Sequence, residues 1–179
     1  MTFIPEGPDW NVLRSMIGGA AFVPGAVSRM INATTIEDAS KAYWELDNRV
    51  VVQQQLFESA VWTAILVSDA ICNEMPSDVG MRRALDLLVE IAEGEPDQSE
   101  LALGNRDLGD VCRRELSRFL PCFRGLATND DEHIVLGALD LLDILEVDRQ
   151  RLRELAEAVL RRDAGPAPKA RAREILDSD

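Results

Sequence analysis

A chain of 179 residues is long enough to bury a sizeable core without staples, and 46% hydrophobic with 28% charged residues is an ordinary globular balance. Aromatics make up only 5%, so aliphatic side chains and alanine must fill the interior; this suits close-packed helices, and the β-branched residues cluster mainly at 50–52, too short a run to suggest a sheet protein. The net charge of −13 repels a phosphate backbone, which sets nucleic acid aside and leaves either a basic protein partner or simple solubility as the meaning of the acidity.

Residues 1–34 read as an irregular cap over the end of a helical stack. Pro5, Pro8 and Pro24 and the Gly18-Gly19 pair interrupt it, leaving short helices expected near 9–17 and 25–31. Thr35 is placed to cap a helix to about residue 51, with Asp38 three residues on and Ala39, Ala42, Tyr43 and Leu46 inward. A second helix is expected over 54–73. Its wide apolar stripe, through Phe57, Ala60, Ala64, Ile65 and Ile71, predicts the centre of the core. Pro76-Ser77-Asp78 stops that helix and caps the next, which carries Met81, Leu85, Leu88 and Ile91 at helical spacing up to Gly94. Residues 93–105 hold four acids and no base, with Gly94, Pro96 and Gly104; they predict the most mobile internal loop. A helix over 106–126 should kink near Ser117, because Pro121 lacks an N–H and crowds that carbonyl. Thr128-Asn129-Asp130-Asp131-Glu132 supplies caps and acids for a helix with Ile134, Ala138, Leu141 and Leu145 inward. A tight turn at 146–148 leads into a helix over 149–162. After the break Gly165-Pro166-Ala167-Pro168, a short last helix over 169–175 either folds back or frays.

Three antiparallel helix pairs emerge, near 35–73, 78–126 and 129–162, spaced by about forty residues, the period of helical solenoids. The run Ala42-Tyr43-Trp44-Glu45-Leu46-Asp47-Asn48-Arg49-Val50-Val51-Val52-Gln53, then Leu56-Phe57-Glu58-Ser59-Ala60, resembles a segment of bacterial HEAT-like repeat proteins. There a Leu-Asp-Asn stretch and a Gln precede an apolar helix. The run Gly104-Asn105-Arg106-Asp107-Leu108-Gly109-Asp110-Val111-Cys112-Arg113 resembles a second segment. The resemblance covers most of 35–162. It implies a single all-α HEAT- or armadillo-like α-solenoid domain, with residues 1–34 and 163–179 as caps, and an interaction scaffold more than an activity.

The residues offer little chemistry. Cys72, Cys112 and Cys122 are odd in number, lack metal-ligand spacing and sit among apolar helix residues, which argues against a disulfide framework and for small hydrophobes. His133 is the one histidine and falls in a first helical turn, a surface position far more often than a ligand. Gly104 and Gly109 lack the downstream Lys-Ser/Thr of a phosphate loop. Paired acids such as Asp140 and Asp143 fit exposed helix faces, so neither a metal nor a cofactor is expected. The N-terminal ten residues have no basic run before an apolar stretch, and no segment is apolar for long enough to span a bilayer, so a cytoplasmic protein without membrane attachment is expected.

One segment, 43–55, crowds an aromatic and polar residues onto one turn. Read structurally, it is a helix terminus with Trp44 packed at the domain edge. Read functionally, Trp44, Asp47, Asn48, Arg49 and Gln53, with Asn105 and Arg106 alongside, form a partner-binding lip anchored by an aromatic. The leading expectation is a non-enzymatic protein-binding module, in its sharpest form an inhibitor or immunity protein covering a basic partner. The alternative, by resemblance to HEAT-like alkylpurine DNA glycosylases, would cast Trp44, Trp62 and Asp47 around a damaged base. The 16 acids against 5 bases in 37–110 oppose it.

Overall fold

Polar caps start the main helices where the sequence places turn formers before apolar runs. The Thr35 hydroxyl accepts the Asp38 N–H at 3.1 Å, the Ser77 hydroxyl accepts that of Gly80 at 3.0 Å, and the Asp131 carboxylate accepts those of His133 and Ile134. A computed structural model describes residues 7–74 and 76–178; expectations for 1–6, Pro5 among them, lie outside the described residues. Within them the chain is mostly helical, with α1 (Val23–Ile31), α2 (Ile36–Val50), α3 (Ser59–Asn73), α4 (Asp78–Glu93), α5 (Gln98–Ala102), α6 (Leu108–Ser117), α7 (Leu120–Leu126), α8 (Glu132–Leu145), α9 (Arg149–Arg161) and α10 (Pro166–Asp177). Strands β1 (Val51–Val52), β2 (Gln55–Leu56) and β3 (Glu95–Pro96) form one small sheet.

The core is centred on α4, not on the helix over 54–73. Helix α4 packs against α1, α2, α3, α6 and α8, and buries Leu85, Leu87, Leu88 and Ile91 completely. Its close approach to α1 depends on Gly80, where a Cβ would lie 2.5 Å from the Ile31 carbonyl oxygen. Helix α3 lies to one side, against α4 and α6. It buries Ser59, Thr63 and Ser68 along with Ala60, Ala64 and Val67, while Ile65 is only half-buried. The wide apolar stripe misled because polar residues share the buried face. Helices α2, α4 and α8 lie side by side, their first turns sharing a groove lined by Ile36, Val79 and His133. Consecutive α2 and α3 touch only marginally.

Three connections depart from expectation. Residues 9–17 form turns, not a helix. Pro121 divides the expected 106–126 helix into α6 and α7 rather than kinking it, and sits in the first turn of α7, where its missing N–H costs nothing. Residues 93–105 are not a structureless loop: they contain β3 and α5. Strand β3 pairs in parallel with β2, Gln55 against Glu95, and β2 pairs antiparallel with β1. The β1–β2 turn puts both Gln53 (φ 52°) and Gln54 (φ 62°) in the left-handed region, a geometry that favours Asn-Gly and costs a Cβ-bearing residue about 1 kcal/mol or more. Contacts from outside hold the turn: the Gln54 carbonyl accepts the Glu95 N–H at 2.9 Å, and its side-chain amide donates to Glu93 at 2.9 Å.

Glu100 in α5 gathers the distant segments. Its side chain is 1% exposed. It accepts Arg14 Nε at 3.1 Å and Nη2 at 2.8 Å, the Glu58 N–H at 3.2 Å and Asn105 Nδ2 at 2.6 Å. Burial alone would raise its pKa; these donors outweigh burial and hold it below the ordinary value of 4.5. Arg14 in turn donates its backbone N–H to Glu58, and its carbonyl accepts the Ser59 N–H.

The cysteines are also corrected. Cys72 of α3 and Cys122 of α7 form a disulfide across 50 residues, with Cα atoms 5.8 Å apart, while Cys112 is free and buried. The odd count concealed a pair because the two lie 50 residues apart and only the folded chain brings them together. Burial pushes the Cys112 thiol up to about 12, so it behaves as the small hydrophobe expected. At the far end, α10 folds back on α8 and α9, and Arg171 reaches Asp140 at 2.6 Å and Asp143 at 2.8 Å.

Two predictions arise. Under denaturing, non-reducing conditions the protein should show one reactive thiol, and three after reduction; reduction should cost up to about 4 kcal/mol of stability by closure entropy over a loop of this length. Three thiols before reduction would remove the disulfide. Glu100→Ala should cost about 2 kcal/mol or more, read by urea unfolding at neutral pH. Because the folded pKa is depressed, the native contribution of Glu100 is present above about pH 4.5 and lost as pH falls through its folded value, so the gap between variant and parent should close in acid.

Candidate functional site

Helix α2 exposes one large aromatic. Its buried stripe of Ala39, Ala42, Tyr43, Leu46 and Val50 leaves the adjacent Trp44 facing outward, 54% exposed. Trp44 meets the Tyr43 ring edge-on, with centroids 5.0 Å apart. Tyr43 lies in the seam between α2 and α4, where the Arg83 guanidinium stands 5.4 Å over its ring and its hydroxyl reaches Asp47 at 3.4 Å.

The same seam gathers carboxylates. Asp86 is paired with Arg83 at 2.9 Å, and Glu93 accepts the Gln54 amide. Asp47 and Glu90 have no cationic partner within ion-pair distance among the described residues. Burial raises the Asp47 carboxyl above its ordinary value despite the Tyr43 hydroxyl. Burial, then the charges of Asp47, Glu93 and Asp86, raises Glu90. Tyr43 is raised too, by burial and then by Asp47, Glu90 and Asp86. The arrangement is therefore an exposed indole beside half-buried, uncompensated negative charge, a combination that attracts a cation and offers it an aromatic face.

The expected lip residues separate into groups. Trp44, Asp47 and Asn48 share α2, and Asn48 Nδ2 donates to the Trp44 carbonyl at 2.7 Å. Arg49 is held against the N-terminal segment, its guanidinium 3.6 Å over the Phe22 ring and donating to the Ile17 carbonyl at 3.3 Å. Gln53 is exposed at the hairpin turn. Asn105 belongs to the Glu100 cluster, and Arg106 is exposed beside it. Tyr43, Arg83 and Glu90 were not expected in the site; Glu90 lies one helix away, and only the α2–α4 contact brings it to Asp47. Trp62 lines a different groove, with Leu13 and Asn105. His133 is exposed in the first turn of α8. Among the described residues, no group of three or more His, Cys, Asp and Glu side chains is placed to hold a metal ion, and no helix is long and apolar enough to cross a membrane.

Comparison with protein-family models, with curated proteins and with solved structures finds no match.

The carboxyls of Asp47 and Glu90 yield a third prediction. A raised carboxyl contributes stability that is fully present while protonated, below its unfolded pKa, and lost as pH rises through its folded pKa. At neutral pH both are a liability. The double variant Asp47→Asn, Glu90→Gln should melt higher than the parent at pH 7, and the gain should vanish near pH 4. Equal melting temperatures at pH 7 would mean that solvent already screens both charges.

Proposed function

We propose that the chain is a non-enzymatic protein-binding module whose partner presents basic side chains to the α2–α4 seam. The observation that carries this is the exposure of Trp44 next to Asp47 and Glu90, two half-buried carboxylates with no cation of their own. Such charges weaken the isolated fold and gain most from a Lys or Arg supplied by a partner, while an exposed indole beside them is a typical binding hot spot. A HEAT-type α-solenoid is the architecture we favour. Its support is the HEAT-like runs and the side-by-side row α2, α4 and α8; the slight contact of α2 with α3 departs from a simple stack of pairs.

An inhibitor or immunity protein is the role that suits an acidic surface turned toward a basic partner. A cytoplasmic setting is proposed on the sequence features alone. The Cys72–Cys122 disulfide counts against it, because such bonds persist where the surroundings are oxidising and are rare in a reducing cytosol. DNA glycosylase chemistry gains nothing here: Trp44 and Trp62 line separate clusters, and the charge near Trp44 would repel a duplex.

The test is affinity capture of the native partner followed by titration. Trp44→Ala should weaken binding by about 2 kcal/mol, roughly thirtyfold, and cost about 1 kcal/mol of stability, since the side chain is half exposed and loses one ring contact. The Asp47→Asn, Glu90→Gln variant should weaken binding and flatten its salt dependence. Unchanged affinity in both variants would remove the seam as the binding site.

A further inference from the structure

The described residues expose seven large hydrophobic side chains beyond half, and four of them lie together. Val12, Met16 and Leu103 line a groove of about 320 Å³ floored by the buried Leu13 and Phe57, and Ile17 adjoins Met16. The backbone holds these side chains outward. The Ser15 N–H donates to the Gly18 carbonyl at 2.9 Å, the Ser15 hydroxyl donates to the Ile17 and Gly18 carbonyls, and Arg14 bridges Gly19. The Met16 N–H is tied to the Arg49 carbonyl at 2.8 Å, and Gly18 supplies the positive φ (71°). A turn anchored from both sides cannot fold its apolar tip inward. Leu103 faces the same groove from the C-terminal end of α5, a helix pinned by Glu100.

Charge selects what fits there. Among the described residues lining the groove Arg14 is the one cation, and Glu58 and Glu100 both bind it, which leaves the centre net negative; Arg49 reaches the neighbouring Ile17 carbonyl from outside the lining. Asp9 clamps the lining residue Asn11 on one side and Asp97 clamps Ser99 on the other, so the rim is acidic as well. An apolar floor inside an acidic rim matches a segment with aliphatic anchors flanked by Lys or Arg. It disfavours a second copy, because each chain carries −13, and it disfavours an anionic membrane surface for the same reason. We propose that this N-terminal groove docks a basic amphipathic segment of a protein partner, seating its aliphatic side chains among Val12, Met16 and Leu103. The proposal rests on reading the chain as a protein-binding module and adds a surface apart from Trp44.

The experiment titrates the full chain, labelled with ¹³C at its methionine methyls, with a fourteen-residue peptide of Leu and Lys in helical alternation, and with its Leu/Glu counterpart as control. The Met16 methyl should shift with 1:1 saturation on the Lys peptide, the buried Met30 and Met81 methyls should not, and the Glu peptide should leave all unchanged. The triple variant Val12→Ser, Met16→Ser, Leu103→Ser, altered only at exposed positions, should keep the parent melting temperature and lose at least tenfold in affinity by calorimetry. Leu103→Ser alone should lose threefold or more, and Val147→Ser, exposed but outside the groove, none. Loss in Trp44→Ala with none in the triple variant would overturn the groove and leave the α2–α4 seam standing. No loss in either would overturn both. A parent dimer that the triple variant dissociates, or vesicles of anionic lipid that bind the parent and shift Met16, would overturn it by assigning the groove to a second copy or to a lipid surface.

Discussion

A single buried carboxylate organises this fold. Glu100 lies in a five-residue helix that could not persist alone, because one turn of helix spends its nucleation cost without recovering it in length. Its four polar contacts come from Arg14, Glu58 and Asn105, on three segments that lie up to 86 residues from it along the chain. The short helix is stable because the carboxylate is satisfied, and the carboxylate is satisfied because those segments converge. The N-terminal turns depend on the same contact, since Arg14 joins Glu100 to Glu58 and the start of α3. A buried charge with every acceptor site engaged is a demanding arrangement that admits few alternatives, and it specifies the position of three pieces of irregular backbone at once.

Electrostatics are handled differently at the two ends of the acidic body. Around Glu100 and along α8 and α10, carboxylates meet guanidinium groups, as in Arg171 with Asp140 and Asp143, and Arg82 with Asp131. In the α2–α4 seam only Asp86 is so matched, by Arg83, while Asp47 and Glu90 are left to repel one another across a half-dry interface. Arginines stand opposite acids elsewhere, so these two carboxylates are a local instability of the kind that functional surfaces commonly keep, which is the basis of the binding role proposed for the seam.

The helices were legible because their signals are local. Thr35, Ser77 and Asp131 cap the helices they were expected to cap, and the apolar spacing through Leu85, Leu88 and Ile91 lies within α4. What failed was non-local. Two-residue strands have no periodicity to detect, so β1, β2 and β3 passed as helix ends and loop. The acidity of 93–105 read as mobility because the segment holds no base of its own; the matching Arg14 comes from 86 residues earlier in the chain. Cys72 and Cys122 lie 50 residues apart on helices that only packing brings together. In the candidate site, Trp44, Asp47 and Asn48 could be grouped because they share one helix, whereas Glu90 joins them across an interface and Asn105 departs to another cluster.

The parallel pairing of β2 with β3 also works as a gauge of length. Between these strands the chain runs out along α3 and back along α4, and the two helices are nearly matched at 15 and 16 residues. At about 1.5 Å per residue each leg covers roughly 23 Å, so the chain returns to the level from which it left. Gly94 then closes the circuit, because its missing Cβ leaves room for the Leu56 side chain that a methyl group would strike at 2.6 Å. An added residue in either helix would therefore arrive as a misalignment of Glu95 against Gln55 on the opposite side of the circuit. The two helices can therefore change in length only in step if the sheet is to keep its register.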